Sequence, residues 1–316
     1  MRLSDVCAFD FELATFNSLC TLHFALSTFQ FTLIAMLSVA YQGEPGAWSE
    51  QAALDYFGAE AFPQPRFSFD DVFADVASGA CEYGVVPMEN SLGGSIHRNY
   101  DLLMRHDLHI VGEVIVRIHW CLIAHPDVQL AELTRVQSHP QALAQCERSI
   151  TQLLPQVERK EVYDTAGSVK LLKESGERTT GALASQRAAD IFGLPVLREG
   201  LEDDPTNYTR FAVLSRQLYA GLPDGKTIYK TSIVFAGRNE PGLLFKVMGA
   251  LSMRNIDVCK IESRPLQGSP WSYLFYLDFV GHRDDPTCRR ALANLEEFTT
   301  LYRCFGTYPR AEMPGL

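Results

Sequence analysis

The sequence predicts an α/β protein: a body of mainly parallel sheets covered by helices, followed by a small βαββαβ unit of ferredoxin-like type. Two observations carry this. Between residues 37 and 192, short apolar runs pass repeatedly into a Gly, Ser, Thr or Asp turn and then into a stretch of helical period. After residues 217–226, which hold two glycines and a proline and read as a linker extending to 229, the order changes to strand, helix, strand, strand, helix, strand.

Residues 37–41 form a short buried strand, followed by the turn Gly43-Glu44-Pro45-Gly46. Ser49 is placed to cap a helix over 51–57. A strand, a glycine turn and a helix start present free N–H groups to an anion, and they also make an ordinary βα turn. The spacing is not G-x-G-x-x-G, and no ribose-binding acid stands at the right distance, so a dinucleotide site is not supported. Periodicity predicts a helix over 69–78 and an apolar strand over 83–87. That strand runs into Glu89-Asn90-Ser91 and Gly93-Gly94-Ser95, polar residues at the strand end where α/β proteins hold ligands. A helix over 99–105, extended stretches over 109–116 and 119–124, and a helical turn over 130–134 follow. Residues 136–138 end a strand, and Pro140 suits the first turn of a helix over 141–154. Residues 161–163 are a strand, and Asp164-Thr165-Ala166-Gly167 opens a helix over 168–173. A strand over 180–184 leads to Ser185, the cap of a helix over 186–192. Residues 197–205 are acidic and loop-like, and Asn207-Tyr208-Thr209-Arg210 enters a strand over 211–214. Beyond the linker, strands are predicted over 231–236, 256–264, 273–281 and 300–305, and helices over 242–254 and 287–298. This second unit is too small to be the main body and suits a regulatory module.

A chain of 316 residues accommodates about two domains. Apolar residues at 47% against 21% charged allow a large core and exclude a disordered chain. The formal charge of −10 argues against nucleic acid as a partner, because phosphate contacts need a basic face. Eight cysteines without a C-x-x-C pair exclude a zinc ribbon or disulfide framework and fit a reducing compartment. Cys81, Cys121 and Cys146 lie on apolar stretches and read as small core residues. Residues 1–35 match the rest poorly. They are too polar for a membrane span, too acidic at the start for a secretory signal and too poor in arginine for a transit peptide. The functional domain is expected to begin near Met36, with the lead a mis-assigned start or a poor targeting segment.

The blocks Tyr41-Gln-Gly-Glu-Pro-Gly-Ala-Trp-Ser-Glu50, Gly84-Val-Val-Pro-Met-Glu-Asn-Ser91, Ser138-His-Pro-Gln141, Asp164-Thr-Ala-Gly167 and Asn207-Tyr-Thr-Arg-Phe211 occur in that order. They are followed by Pro241-Gly-Leu-Leu244 and Ile261-Glu-Ser-Arg-Pro265. Jointly, from about residue 39 to 309, they resemble prephenate dehydratase with its C-terminal ACT regulatory domain. The runs 89–103 and 138–147 look closest to plant, algal and green-sulfur-bacterial members. Leu243 stands where the regulatory block more usually has Ala, and Asp164 where bacterial members often have Ser.

The resemblance implies a two-lobed, periplasmic-binding-protein-like catalytic domain over 37–216 and an ACT domain over 230–310. It implies loss of water and carbon dioxide from prephenate, giving phenylpyruvate, or alternatively from arogenate, giving phenylalanine directly. No cofactor and no metal are implied. Thr209 takes the catalytic role as donor to the leaving hydroxyl, though it also reads as an ordinary β-branched strand residue. Asn90, Ser91, Ser138, Gln145, Thr165 and Phe211 are expected around the substrate, and for Ser, Thr and Asn helix capping is the plain alternative. Arg210 is expected to grip a substrate carboxylate or else to pair with the acidic loop Glu202-Asp203-Asp204. Glu89 is expected to bond to backbone, His139 to serve helix entry, and His119 and His125 show no partner pattern. Asn239, Gly242, Leu243 and Leu244, with Glu262, Ser263, Arg264 and Pro265, are expected to hold phenylalanine as effector at a subunit interface, in a homodimer or homotetramer. Nucleic acid and membrane are not expected partners, and the location is cytoplasm or plastid stroma. The non-enzymatic alternative is a two-lobed binder of small anions with an amino-acid sensor.

Overall fold

The computed structural model describes residues 36–238, 240–266, 268 and 271–314; the expectations for residues 1–35 and for Asn239 lie outside them. The first lobe begins with β1 (Leu37–Gln42), α1 (Trp48–Phe57), β2 (Ala61–Arg66), α2 (Phe69–Ser78) and β3 (Tyr83–Asn90). It continues through β4 (Gly94–Ser95), α3 (His97–Arg105) and β5 (His109–Arg117). The chain crosses to a second lobe with β6 (Cys121–Ile123), β7 (Arg135–Ser138), α4 (Pro140–Gln145), α5 (Glu147–Leu153) and β8 (Glu158–Glu161). That lobe closes with α6 (Thr165–Ser175), β9 (Thr180–Ala184), α7 (Gln186–Phe192) and β10 (Val196–Arg198). The chain then returns to the first lobe on β11 (Tyr208–Ser215). The C-terminal unit is β12 (Tyr229–Ala236), α8 (Leu243–Ser252), β13 (Val258–Pro265), β14 (Tyr273–Val280), α9 (Pro286–Glu297) and β15 (Leu301–Pro309).

The sheets are mixed, which corrects the expectation of mainly parallel ones. The first sheet runs β2-β1-β3-β11-β5, with β1 parallel to β2 and β3 but β11 antiparallel to β3 and β5. The second runs β10-β6-β9-β7-β8, with β7 parallel to β8 and β9 but β6 antiparallel to β9 and β10. The cause is the double crossing. A strand that enters a lobe from the other one arrives at its far end, so β6 and β11 run against their neighbours. The two crossing segments lie side by side, with Ile118 N–H donating to the Asn207 carbonyl at 2.8 Å and Leu201 N–H to the Trp120 carbonyl at 3.1 Å.

The third sheet, β13-β14-β12-β15, is wholly antiparallel. One face packs on α8 and α9 through Ile233, Phe235, Val247, Leu251, Leu277 and Leu295. The other face shares a core with the first lobe, where Val234, Tyr276, Phe305 and Tyr308 pack with Tyr100, Leu103, Leu108 and Ile110. Gly306 permits this approach, since a Cβ there would stand 2.0 Å from the Ile110 carbonyl oxygen.

Several elements differ from the sequence reading for identifiable reasons. Ser49 lies inside the first turn of α1, whose N-cap is Ala47 without a side-chain bond. The helix expected over 141–154 is broken at Cys146. The Gln145 carbonyl accepts from Asp203 N–H at 2.8 Å, a tertiary partner in place of the next helical turn. β2 was not anticipated because Pro63 and Pro65 interrupt it, and it is tolerated as the edge of its sheet. β8 lies at 158–161 instead of 161–163 and is exposed throughout, so it carries no apolar alternation to read. β10 overlaps the start of the stretch read as acidic loop. By contrast α2, β9 and α7 stand at the expected bounds, and Ser185 Oγ accepts from Ala188 N–H at 3.0 Å as the α7 cap.

Candidate active site

A cleft of about 620 Å³ is lined from both lobes. The first lobe contributes Ser49, Asn90, Arg98, Thr209 and Phe211, and the second contributes His139, Gln145, Tyr163, Asp164 and Thr165. Ile118 and Trp120, on the first crossing segment, are buried apolar walls.

Thr209 pairs with Asn90 across β11 and β3 and is 7% exposed. The Asn90 carboxamide is fixed from one side, where its Oδ1 accepts from Leu92 N–H at 3.1 Å and Gly93 N–H at 2.7 Å. Its Nδ2 therefore faces β11, donating to Asn207 Oδ1 at 2.8 Å, the Tyr208 carbonyl at 3.1 Å and Thr209 Oγ1 at 2.9 Å. A hydroxyl that accepts this bond keeps its own hydrogen for another acceptor. Behind it, Asn207 Nδ2 donates to Gln145 Oε1 at 2.9 Å, and Trp120 Nε1 donates to the same oxygen at 3.0 Å. Gln145, Asn207, Asn90 and Thr209 thus form one hydrogen-bonded chain that ties both lobes to the Thr209 hydroxyl.

Of the other expected residues, Thr165 and Phe211 line the cleft with Asn90, Gln145 and Thr209, whereas Ser91 and Ser138 do not. Ser91 Oγ donates to the Thr206 carbonyl at 2.7 Å and accepts from Tyr208 N–H at 2.9 Å, so it fixes the entry to β11. Ser138 is fully buried, and its Oγ donates to the Leu183 carbonyl at 2.6 Å, joining β7 to β9.

Arg210 is a correction. Successive strand residues face opposite sides, so the neighbour of Thr209 points away from the cleft. Its side chain is 12% exposed and meets Asp278 at 3.2 Å, with Glu89, Glu113 and the Tyr100 hydroxyl each at 3.4 Å. Burial opposes its charge, yet Asp278 and the other neighbours hold its pKa well above the ordinary arginine value. Its side chain neither lines the cleft nor meets the acidic loop. In that loop Glu202 accepts from Trp120 N–H at 3.0 Å and meets His119 at 2.7 Å, while Asp203 accepts from Arg148 N–H at 2.8 Å and Ser149 N–H at 2.9 Å. Burial works against the Glu202 carboxylate, but these bonds outweigh it and hold its pKa below the usual range. Glu89 is likewise engaged by side chains, with Lys260 at 3.0 Å as well as Arg210. His139 Nδ1 accepts from Gln141 N–H at 3.2 Å, the helix-entry role, and His125 Nε2 meets the Leu172 carbonyl at 2.9 Å.

Arg98 and Asp164 line the cleft and were missed. Arg98 bonds Asp70 through Nε at 3.0 Å. A lone arginine at a helix start carries no sequence signal. Asp164 reads as a helix cap, and it is one: its Oδ1 accepts from Gly167 N–H at 2.6 Å. Burial pushes its pKa up.

The expected effector residues separate into two groups. Gly242, Leu243 and Leu244 line a cavity of about 220 Å³ with Arg238, Trp271 and Tyr273. Gly242 has φ +88°, a left-handed cap that favours glycine. Glu262 and Arg264 alternate to the face of β13 that meets the first lobe. There Glu262 bonds Ser95 Oγ at 2.8 Å and His97 Nε2 at 3.0 Å, and Arg264 meets Asp101 at 3.0 Å. Ser263 and Pro265 are exposed on the other face, and none of the four lines the cavity.

The family model for prephenate dehydratase matches residues 39–218. Arogenate dehydratase 1 of Petunia hybrida is 47% identical over 293 residues, 88% of this chain and 68% of that one. The chloroplastic arogenate dehydratase/prephenate dehydratase 6 of Arabidopsis thaliana is 45% identical across 88% of this chain and 70% of its own. Among solved structures, prephenate dehydratase from Arthrobacter aurescens in complex with L-Phe has a TM-score of 0.79 at 29% identity, covering 87% and 90% of the two chains. GqqA, described as a novel type of quorum-quenching acylase, has the same TM-score of 0.79 at 34% identity, covering 88% and 98%. Two lobes around a threonine-bearing strand, a C-terminal β-rich unit and this degree of identity lead to one assignment: the chain belongs to the prephenate dehydratase family of carbon–oxygen lyases, in the branch of the plant arogenate dehydratases, with ACT-domain architecture.

Proposed function

We propose that the cleft dehydrates and decarboxylates arogenate to phenylalanine, with prephenate as the second substrate. The sequence reading put prephenate first; the names of the most similar relatives favour the reverse order. The observation that carries the reading is the Thr209 hydroxyl, held as acceptor by Asn90 at 2.9 Å with its hydrogen left for the cleft. In the reaction the bond from the ring to its carboxylate breaks, carbon dioxide departs, and that electron pair aromatises the ring as the C–O bond to the hydroxyl breaks. The departing oxygen takes a proton and leaves as water. Thr209 supplies the hydrogen bond or proton, and Asn90 Nδ2–H stabilises the negative charge that grows on Oγ1. Trp120, Ile118 and Phe211 are buried apolar neighbours that leave the ring carboxylate poorly solvated, which favours its loss as a neutral molecule.

An acyl-transfer reading, prompted by GqqA, needs a nucleophile bonded to a base. Among the described residues the cleft's one histidine, His139, spends Nδ1 on the Gln141 N–H. Residues 37–216 form the catalytic body in this reading and residues 230–310 the regulatory module. Phenylalanine binds the cavity at the start of α8, a reading supported by the Arthrobacter relative's bound L-Phe, and the assembly is a homodimer or homotetramer. The chloroplastic names of relatives support the plastid as its location.

Thr209→Val tests the mechanism. It keeps the β-branched shape and removes the donor. The expected result is a loss of kcat of roughly 100- to 1000-fold on both substrates with the thermal midpoint unchanged. Retained turnover overturns the reading.

A further inference from the structure

We infer that Asp164 selects arogenate over prephenate by holding its α-ammonium group. This rests on the dehydratase reading above and goes beyond it by naming the residue that discriminates. The two substrates differ at one side-chain carbon, which carries an ammonium in arogenate and a keto oxygen in prephenate. Asp164 is 8% exposed and lines the cleft from the second lobe.

Its hydrogen-bond partners are backbone N–H groups, from Gly167 at 2.6 Å and from Glu44. The charged side chains around it are already committed. Lys170 pairs with Glu44 at 3.1 Å, and the Tyr163 hydroxyl donates to the same carboxylate at 2.9 Å. His139 is the nearby group of opposite potential charge, and its Nδ1 is already engaged by Gln141 N–H at 3.2 Å. Asp164 is therefore a buried carboxylate that faces the cleft and, among the described residues, is in no ion pair, the arginine of the cleft, Arg98, being paired with Asp70. Such a charge is costly, and an incoming ammonium relieves the cost.

The discrimination has two parts. An ammonium offers three donors and a full charge to Asp164. A keto oxygen offers only lone pairs, which the carboxylate repels. A site built around a buried polar group penalises the analogue that cannot satisfy it. Thr165, the next residue and also in the cleft, opens α6, so its hydroxyl stands beside the free N–H groups at the helix start, which suit the substrate's side-chain carboxylate.

Asp164→Asn tests this in the full-length protein. The amide oxygen still accepts from Gly167 N–H, so the α6 cap is kept while the charge is lost. The expected result is a fall in kcat/KM for arogenate of about 100-fold with kcat/KM for prephenate raised, and a small fall in the thermal midpoint from the lost Glu44 N–H bond. A parallel fall on both substrates assigns Asp164 to structure and overturns the inference, as does an unchanged ratio. A wild-type protein that converts neither substrate defeats the dehydratase reading instead, and the wild-type assay separates the two failures.

Discussion

At the scale of single residues, the proposed chemistry turns on the direction of one hydrogen atom. A threonine hydroxyl is a weak acid, so its usefulness lies in where its hydrogen points. Asn90 decides this because its oxygen is pinned by Leu92 and Gly93, leaving only its nitrogen to face Thr209. Asn90→Asp replaces that donor by an acceptor. The Thr209 hydrogen then turns back to the new carboxylate, and the Tyr208 carbonyl loses its donor. Steady-state assays should show kcat reduced by at least about 100-fold, and the thermal midpoint should fall, since an acceptor facing a buried carbonyl is unsatisfied. The sequence motifs indicated Thr209, Asn90, Gln145, Thr165 and Phe211, and the fold brings these five to one cleft. Arg210 shows where reading by motif ends. With the strand read as starting at 211, its alternation at Arg210 went unused, and its partners Glu113 and Asp278 sit on strands that no local pattern links to it.

At the scale of elements, local rules succeed where the cause of an element is local. The α2 helix was legible from its own periodicity, and its start is closed locally by a capping box in which Ser68 and Asp71 serve each other. The break between α4 and α5 was not legible, because its cause is an N–H at residue 203. The α7 cap has a second role that spacing does not reveal. Ser185 Oγ accepts from Ala188 N–H and also donates to the Gly46 carbonyl at 2.7 Å, joining the second lobe to the turn after β1. Gly46 itself, at φ +93°, packs so tightly that a Cβ would stand 2.6 Å from the Ala188 Cα. Ser185→Ala removes both bonds, so denaturant unfolding should show a loss of about 2 kcal/mol, above that of a simple cap.

At the scale of the molecule, the C-terminal sheet is part of the first lobe's interior as much as a module beside it. Tyr276 donates to the Tyr100 carbonyl at 3.2 Å, and Arg303 donates to the carbonyls of Leu103 at 3.0 Å and Leu108 at 2.9 Å. Lys230 meets Glu113 at 2.7 Å, so a buried acid of β5 depends on a base of β12. A chain ending at residue 226 should therefore melt well below the full protein and self-associate on heating, as read by calorimetry and light scattering; an equal midpoint would show that the first lobe is self-sufficient. The sequence showed the βαββαβ order of this unit but not the surface on which it rests, because the face that meets the first lobe mixes apolar residues such as Val234 and Phe305 with the charged Lys230, Glu262, Arg264 and Asp278, a pattern that also suits solvent.

The alternation of β11 has a practical consequence for anyone who wishes to engineer this chain. Thr209 and Arg210 are neighbours across one peptide bond, and the strand is a party wall with a tenant on each side. One tenant is the chemistry of the cleft. The other is the ion cluster of Arg210, Glu89, Glu113 and Asp278, which belongs jointly to the body and the C-terminal sheet. Stripping away the outer tenant takes the support from the inner one. If, as proposed, phenylalanine binds the cavity of Gly242 and Trp271, relief from end-product control is better sought by substitutions there, which leave the wall standing.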